Sequence, residues 1–381
     1  MTSTLSDYSG LIVAPHEPPC LSIYQKTHRS HPDNLQDPIR FRNLLKKLEG
    51  MLEKKYPVKV TEPLLEPFFR LAGDHHFWNH ALDGLAVFGS PEMFRVYTLQ
   101  EEVQDKAMVA DSFYTKPLLR IFQSYARYQI LALSRDKVRL YTGTKHALDR
   151  VDLTGTVPQT LVEALGEKIT PPHQTVASYG GTKGNAMHHG HGSKKDEEEI
   201  DTLRFFRMVD STVLEHHSKR SQLPLILAAL PENQGRFRRI GQNHLLLDDG
   251  IVTNPDSIQE NAFHEQAWAI IEPQLQHRLH AMLEEYSEAL PKGIGSDDLE
   301  KTAAAAAAGR VSVLFINNDV RISGLLDRQT RMITVGTPEC AGENDLLDDL
   351  GELVLRNGGK VVVLPSEKMP AEAGFAATFR Y

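Results

Sequence analysis

Three histidines, His188, His189 and His191, stand in a glycine-rich stretch beside Asp196 and Glu197. Neutral imidazole and carboxylate together suit zinc, copper or nickel. The three are nearly adjacent, however, and no partner at a fixed spacing completes a ligand set. A polar, solvated loop is the preferred reading, and no metal is expected. His76 and His80 are i and i+4, which can grip a metal on a helix, but the H-E-x-x-H pattern is missing. His216 and His217 are adjacent and would point in two directions on a helix. The segment Gly190 to Lys195 looks like a phosphate cradle but lacks the G-x-x-x-x-G-K-[ST] order, and no strand leads into it. There is no G-x-S-x-G elbow. Cys20 and Cys340 have no nearby histidine that would activate a thiolate. A two-metal nuclease needs clustered carboxylates. Asp136, Asp152 and Asp210 are available, but nothing in their spacing selects them.

Basic clusters remain. Arg236, Arg238 and Arg239 fall in a Gly-Arg-Phe-Arg-Arg segment, read as a turn after a strand. Lys194 and Lys195 lie in the glycine stretch. Lys46-Lys47 and Lys54-Lys55 lie on a helix, where Glu49 and Glu53 offset part of the charge. Each cluster could contact RNA phosphates. The run Asp196 to Glu199 would repel a phosphate backbone and reads as a solubilising flank.

The elements that must position these groups follow from periodicity. Leu21–Tyr24 reads as a strand, and Phe41, Leu44, Leu45, Leu48 and Leu52 recur at helical spacing. A second helix is expected over Pro63–Arg70, with strands at 84–88 and 94–99. Residues 129–133 and 138–141 form a hairpin pattern. Residues 179–200 hold five glycines and no apolar period, and read as a long mobile loop. A helix with Leu203, Phe206, Val209 and Val213 inward follows, capped by Asp201 or Thr202. Leu225–Leu230 is a buried strand. Ser257 and Glu260 form a capping box, and the helix after it should kink or restart at Pro273. Ser296 or Asp297 caps a helix through Ala303–Ala308, which Gly309 ends. Val311–Ile316 is a strand. Asn344 caps a helix that Gly358-Gly359 ends, and Val361–Leu364 is a strand stopped by Pro365. Strands alternating with helices imply an α/β architecture.

The chain has 381 residues, enough for two or three domains. It carries 42 Lys and Arg against 50 Asp and Glu, a formal charge of −8. That excludes a protein that coats nucleic acid with a uniformly basic surface. The acidity is local: residues 256–381 hold 11 basic and 20 acidic side chains, whereas the first two thirds are near neutral. Two cysteines exclude a disulfide framework and fit a reducing cytoplasm. No apolar run approaches the ~20 residues of a membrane span. The polar start, Met1 to Asp7, lacks the pattern of a signal peptide.

The last third carries Asn357, Gly358, Gly359, Leu364, Pro365, Met369, Pro370, Ala376, Ala377, Arg380 and Tyr381. In this order they resemble the end of archaeo-eukaryotic release factors and of Pelota. The middle third resembles the second domain of the same factors in its hairpin near 133–141, glycine loop and following helix. Pro18–Arg29 and Asp37–Leu45 resemble the bacterial branch, which includes Balon-like ribosome-associated factors. The resemblance implies three consecutive domains. These are an N-terminal α/β domain (1–128), an RNase-H-like middle domain (129–255) with a mobile Gly/His loop at 178–200, and a kink-turn-binding-protein-like α/β/α domain (256–381). It also implies a cytoplasmic A-site binder in ribosome rescue or hibernation. Partners would be rRNA, tRNA and a translational GTPase such as elongation factor Tu, with no membrane and no cofactor. The ribosome-facing residues would be Gly180, Gly181, His188, His189, Gly190, His191, Gly192, Lys194, Lys195, Arg236, Arg238 and Arg239. Release factors carry Gly-Gly-Gln in this loop. Here Gly180-Gly181 is followed by Thr182, and Gly190-His191-Gly192 by Ser193. Peptide release by that tripeptide is therefore not expected. The alternative is a metal-dependent RNA-acting enzyme or a peptidyl-tRNA hydrolase using the His-rich loop.

Overall fold

The computed structural model describes residues 14, 16–124, 126–166, 192–327, 333–336 and 344–381. Two compact units emerge, one formed by 1–124 with 278–381, the other by 125–277.

The first unit opens with β1 (Cys20–Lys26). Helix α1 (Asp37–Leu52) follows, with Pro38 in its first turn, where the missing N–H costs nothing. Its buried stripe is the expected one: Phe41, Leu44, Leu45, Leu48 and Leu52. Helix α2 (Val58–Ala72) starts five residues before the expected Pro63 and contains both Pro63 and Pro67. Pro63 is exposed and Pro67 half-buried, four residues apart. The carbonyls they leave without donors therefore lie toward solvent, while Leu64, Leu65 and Phe68 turn inward. Strands β2 (Gly84–Ser90), β3 (Met93–Leu99) and β4 (Lys106–Ala110) complete an antiparallel sheet in the order β3-β2-β1-β4. Leu21, Ile23, Leu85 and Val87 meet the helices in one core. Helix α3 (Lys116–Ser124) ends this segment.

The second unit is a five-stranded mixed sheet. Strands β5 (Tyr128–Leu133), β6 (Val138–Gly143) and β7 (Leu148–Arg150) are an antiparallel meander, joined at Leu133–Val138 by the expected hairpin. After α4 (Leu161–Leu165) and α5 (Gly192–Val213), β8 (Leu225–Ala229) runs parallel to β5. Helix α6 (Pro231–Ile240) leads to β9 (Leu246–Val252), parallel to β8. Leu131, Leu133, Phe205, Phe206, Val209 and Phe237 form the core on one face. Ile130, Ile226 and Ala228 meet Phe263, Ala267 and Ile271 on the other. The last three belong to α7 (Glu260–Ala289). This helix runs through Pro273 without restarting. Pro273 and Ala269, whose carbonyl loses its donor, are both exposed, so water can serve that carbonyl.

The remainder of the first unit is an α/β sandwich. Strand β10 (Gly295–Ser296) precedes α8 (Leu299–Ala307). Asp298 caps α8, accepting from the Lys301 N–H at 2.8 Å, rather than the expected Ser296 or Asp297. Strands β11 (Val311–Asn317), β12 (Gly324–Leu326) and β13 (Ile333–Val335) precede α9 (Leu346–Arg356), and β14 (Lys360–Leu364) and β15 (Phe375–Phe379) close the chain. The sheet order is β10-β15-β11-β14. Leu314 and Ile316 face α8 and α9, while Val313 and Phe315 face Tyr286 of α7. Gly358, at φ +72°, ends α9 in a left-handed turn that a side chain would strain.

Asp345, not Asn344, caps α9 by accepting from the Leu347 N–H at 3.1 Å. Asn344 is drawn away: its Oδ1 accepts from the Asp111 N–H and its amide donates to the Asp111 carboxylate. Next to it lies a buried ionic cluster. Lys116 Nζ is 2.7 Å from Asp345 Oδ2, both side chains 1% exposed, and donates to the Val320 carbonyl at 2.8 Å. Asp348 accepts from the N–H of Thr115 at 2.9 Å and from its hydroxyl at 3.2 Å. Burial, then Asp345, push the Asp348 carboxyl well above the usual range. The first and last parts of the chain are thus joined by charge as well as by apolar packing.

Candidate functional site

Helix α5 follows the glycine-rich stretch in sequence. It starts at Gly192, nine residues before the expected cap at Asp201. Asp201 instead lies within the helix, buried, with its Oδ1 3.3 Å from Arg204 Nη1. Thr202 donates its hydroxyl back to the Glu198 carbonyl at 2.8 Å, the habit of a mid-helix threonine. The acidic run has a role that charge alone did not show. Glu198 accepts from Arg135, in the β5–β6 turn, at 2.7 Å, and Glu199 lies 3.4 Å from Arg236 of α6. These pairs tie the helix to two other elements of the unit. Both are partly exposed, so each contributes orientation more than stability, about 0–1 kcal/mol.

The expected RNA-facing residues divide into three groups. Gly180, Gly181, His188, His189, Gly190 and His191 lie outside the described residues. Gly192, Lys194 and Lys195 open α5. Arg236, Arg238 and Arg239 lie on helix α6, not in a turn, because Pro231 supplies a preset first helical residue. They do not make one basic face. Arg236 is half-buried against Glu199 and Asn233. Arg238 donates to the Leu247 carbonyl at 2.7 Å, holding α6 to β9. Arg239 alone is exposed.

Two further arginines that the sequence did not single out lie on α5. Arg204 and Arg207, three apart on α5, are exposed beside an ~810 Å³ cleft shared with Asp210, Ile240 and Gln242. Their i, i+3 spacing on the polar side of a helix whose other side is Phe205, Phe206 and Val209 was the available signal. Asp210 forms part of the cleft's buried wall and accepts from the Gln242 N–H at 2.7 Å. Burial raises its carboxyl, against the lowering effect of the Gln242 and Asn243 backbone. The cleft therefore offers two cations at its rim and a carboxyl biased toward its neutral form.

The histidine pairs form no metal centre. His75–Trp78 is a single helical turn, the His76 and His80 rings stack at 4.5 Å, and His80 Nδ1 is 2.8 Å from the His76 carbonyl. His217 lies in a π-helical segment, Leu214–Ser218, and burial lowers its imidazole below the usual value. Asp152 accepts from the N–H and hydroxyl of Thr154, which lower its carboxyl. Asp136 meets Ser134 at 3.3 Å. Among the described residues no group of three or more His, Cys, Asp or Glu side chains is placed to hold a metal ion. Among them also, no helix is long and apolar enough to cross a membrane.

Residues 127–310 match the family described as bacterial archaeo-eukaryotic release factor family 3. That match, over just under half of the chain, agrees with the resemblance of its sequence to the bacterial branch of the archaeo-eukaryotic release factor superfamily. Among solved structures, an archaeal translation termination factor, aRF1, is similar at 15% identity over 99% of this chain and 97% of its own, with a TM-score of 0.23. A ribosome-bound archaeal Pelota with ABCE1 matches at 15% identity over 75% and 72%, TM-score 0.41. Dom34 of S. cerevisiae, described as a translation termination-like factor interacting with Hbs1, matches at 13% over 78% and 79%, TM-score 0.39. No curated protein matches the chain.

Proposed function

We propose that this protein is a ribosome-binding translation factor homologue that occupies the A site in rescue or hibernation and does not release peptide. The observation that carries the reading is the release-factor family match over 127–310, which includes the glycine loop and the helix that follows it. The mixed sheet, a three-strand antiparallel meander continued by two parallel strands, supports an RNase-H-like middle domain within the three-domain plan. The sandwich of β10–β15 with helices on both faces supports a kink-turn-binding-protein-like last domain. Gly180-Gly181 is followed by Thr182 and Gly190-His191-Gly192 by Ser193, with no glutamine to activate water, so occupancy is favoured over hydrolysis. The anchored base, through Glu198 and Glu199, would present the loop to the ribosome. Arg204, Arg207 and Arg239 would add phosphate contacts. A translational GTPase such as elongation factor Tu would deliver the protein in the cytoplasm.

The test is co-sedimentation of the purified full chain with ribosomes from growing and starved cells. Binding should weaken steeply as salt rises, because each phosphate contact releases counterions. Absence from every ribosomal fraction at low salt would overturn the reading.

A further inference from the structure

The first unit contains a cleft of about 820 Å³, bounded by β1, the loop entering β4, α3 and the turn after β11. Five cations line it: Lys26, Arg40, Lys106, Arg120 and Arg321. Three carboxylates share the wall, Glu102, Asp105 and Asp319. Two of these are engaged with Lys26. Glu102 pairs with its ammonium at 2.7 Å, and Asp105 accepts from its backbone N–H at 2.9 Å. Asp319 accepts from the Asn318 amide at 2.8 Å. Among the described residues no carboxylate pairs with Arg40 or Arg120, and the Arg120 Nε is buried without a hydrogen-bond partner. Lys106 sits 4.2 Å over the Tyr114 ring, and the Tyr24 hydroxyl donates to the Tyr114 carbonyl at 2.7 Å, which fixes the floor. The cleft thus concentrates positive charge in a chain whose net charge is −8.

Its volume falls in the ~300–1,000 Å³ range of small-ligand sites. Guanidinium forks match phosphate oxygens two at a time, and a polyphosphate carries enough charge to engage several of them. Tyr24 and Tyr114 are both buried, so the cleft offers cations and no open ring for base stacking. We propose that this cleft binds the phosphates of a nucleotide, carried free or within single-stranded RNA, without reading the base. The site is separate from the glycine loop and from Arg204 and Arg207, and does not depend on the A-site reading.

The test uses the full chain and four probes: ATP, tripolyphosphate, adenosine and a labelled rU8 oligonucleotide. Calorimetry should show saturable binding of tripolyphosphate and ATP, and none of adenosine. Binding of rU8 alone, lost in the same variants, supports the RNA-borne form. Arg40→Gln and Arg120→Gln should each weaken binding about tenfold or more, the worth of a charged hydrogen bond. Arg40 is exposed, so its variant should keep the wild-type melting temperature. Lys59→Gln, on the exposed side of α2 and outside the cleft, should leave tripolyphosphate binding unchanged. No saturable binding of any phosphate probe at low salt, equal binding of adenosine, or unchanged affinity in Arg40→Gln would overturn the proposal. Because no ribosome enters this assay, its failure is distinct from a failure of co-sedimentation.

Discussion

Replacing Lys116 by methionine removes one half of a buried ion pair while keeping most of the side-chain volume. Lys116 and Asp345 are each 1% exposed, and Asp348, fully buried, lies in the same cluster. The substitution leaves a buried carboxylate without its cation and the Val320 carbonyl without its donor. Breaking such a pair costs about 3–5 kcal/mol, a large part of the ~5–15 kcal/mol that holds a domain folded. Adding Asp345→Asn should recover most of the loss. The amide removes the stranded charge yet still accepts from the Leu347 N–H as a helix cap. The deficit of the single variant should also shrink on acidification. A buried carboxyl with a raised pKa holds a proton when folded that the unfolded chain has released, so stability falls as pH rises through that window. Acidification protonates Asp348, whose carboxyl burial and the neighbouring Asp345 hold well above the usual range, and so removes one of the two negative charges that the lost ammonium leaves in the pocket. The readout is urea unfolding followed by fluorescence. Trp78 is buried in the first unit and Trp268 belongs to the second, so a Trp268→Phe background reports the first unit alone. A loss below about 1 kcal/mol, typical of an exposed pair, would refute the reasoning. So would a deficit independent of pH, or no recovery in the double variant.

Three further outcomes follow from the second unit. Asp210→Asn should keep the bond from the Gln242 N–H while removing a carboxyl that burial disfavours as an anion. Its stability should match or exceed wild type at pH 7 and change less between pH 4 and 7, as measured by urea melts across that range. Arg204→Ala with Arg207→Ala should lower ribosome affinity with at most a small loss of stability, from the Asp201 carboxylate that loses its Arg204 partner. Arg238→Ala should instead destabilise the unit by about 1–3 kcal/mol, because the Leu247 carbonyl loses its donor, as thermal melts will register.

Local periodicity carried the elements whose buried stripe lies in one stretch of chain. The α1 stripe, the 128–143 hairpin and the ends at Gly309, Gly358 and Pro365 stand where the sequence placed them. Misses came where a long-range partner decided the outcome. Asn344 looks a better cap than its neighbour until Asp111, far away in sequence, takes its side chain. The acidic run reads as a loop flank until Arg135 and Arg236 are seen to hold it in α5. The arginines of α6 read as one cluster because spacing does not tell that Arg238 turns to a backbone carbonyl. Pro63 read as a helix start and Pro273 as a kink or restart, but exposure of the carbonyls they orphan makes continuation tolerable. The resemblance to the release-factor family reached further than periodicity over 127–310, because it rests on residue identities in order.

Thr115 and Asp348 touch, yet 233 positions separate them along the chain. Synthesis at ~5–20 residues per second puts roughly 12–47 s between their appearances. During that interval Lys116, destined for a dry pocket, must stay hydrated, and residues 125–277 have time to fold in the gap. Assembly of the first unit is therefore a late event, set by translation rate and not by local helix or hairpin formation. A slow stretch of decoding before residue 345 would lengthen the life of the half-made unit, with the apolar face of α3 uncovered. The protein's own production is thus most exposed to faltering ribosomes across the segment that encodes its last third.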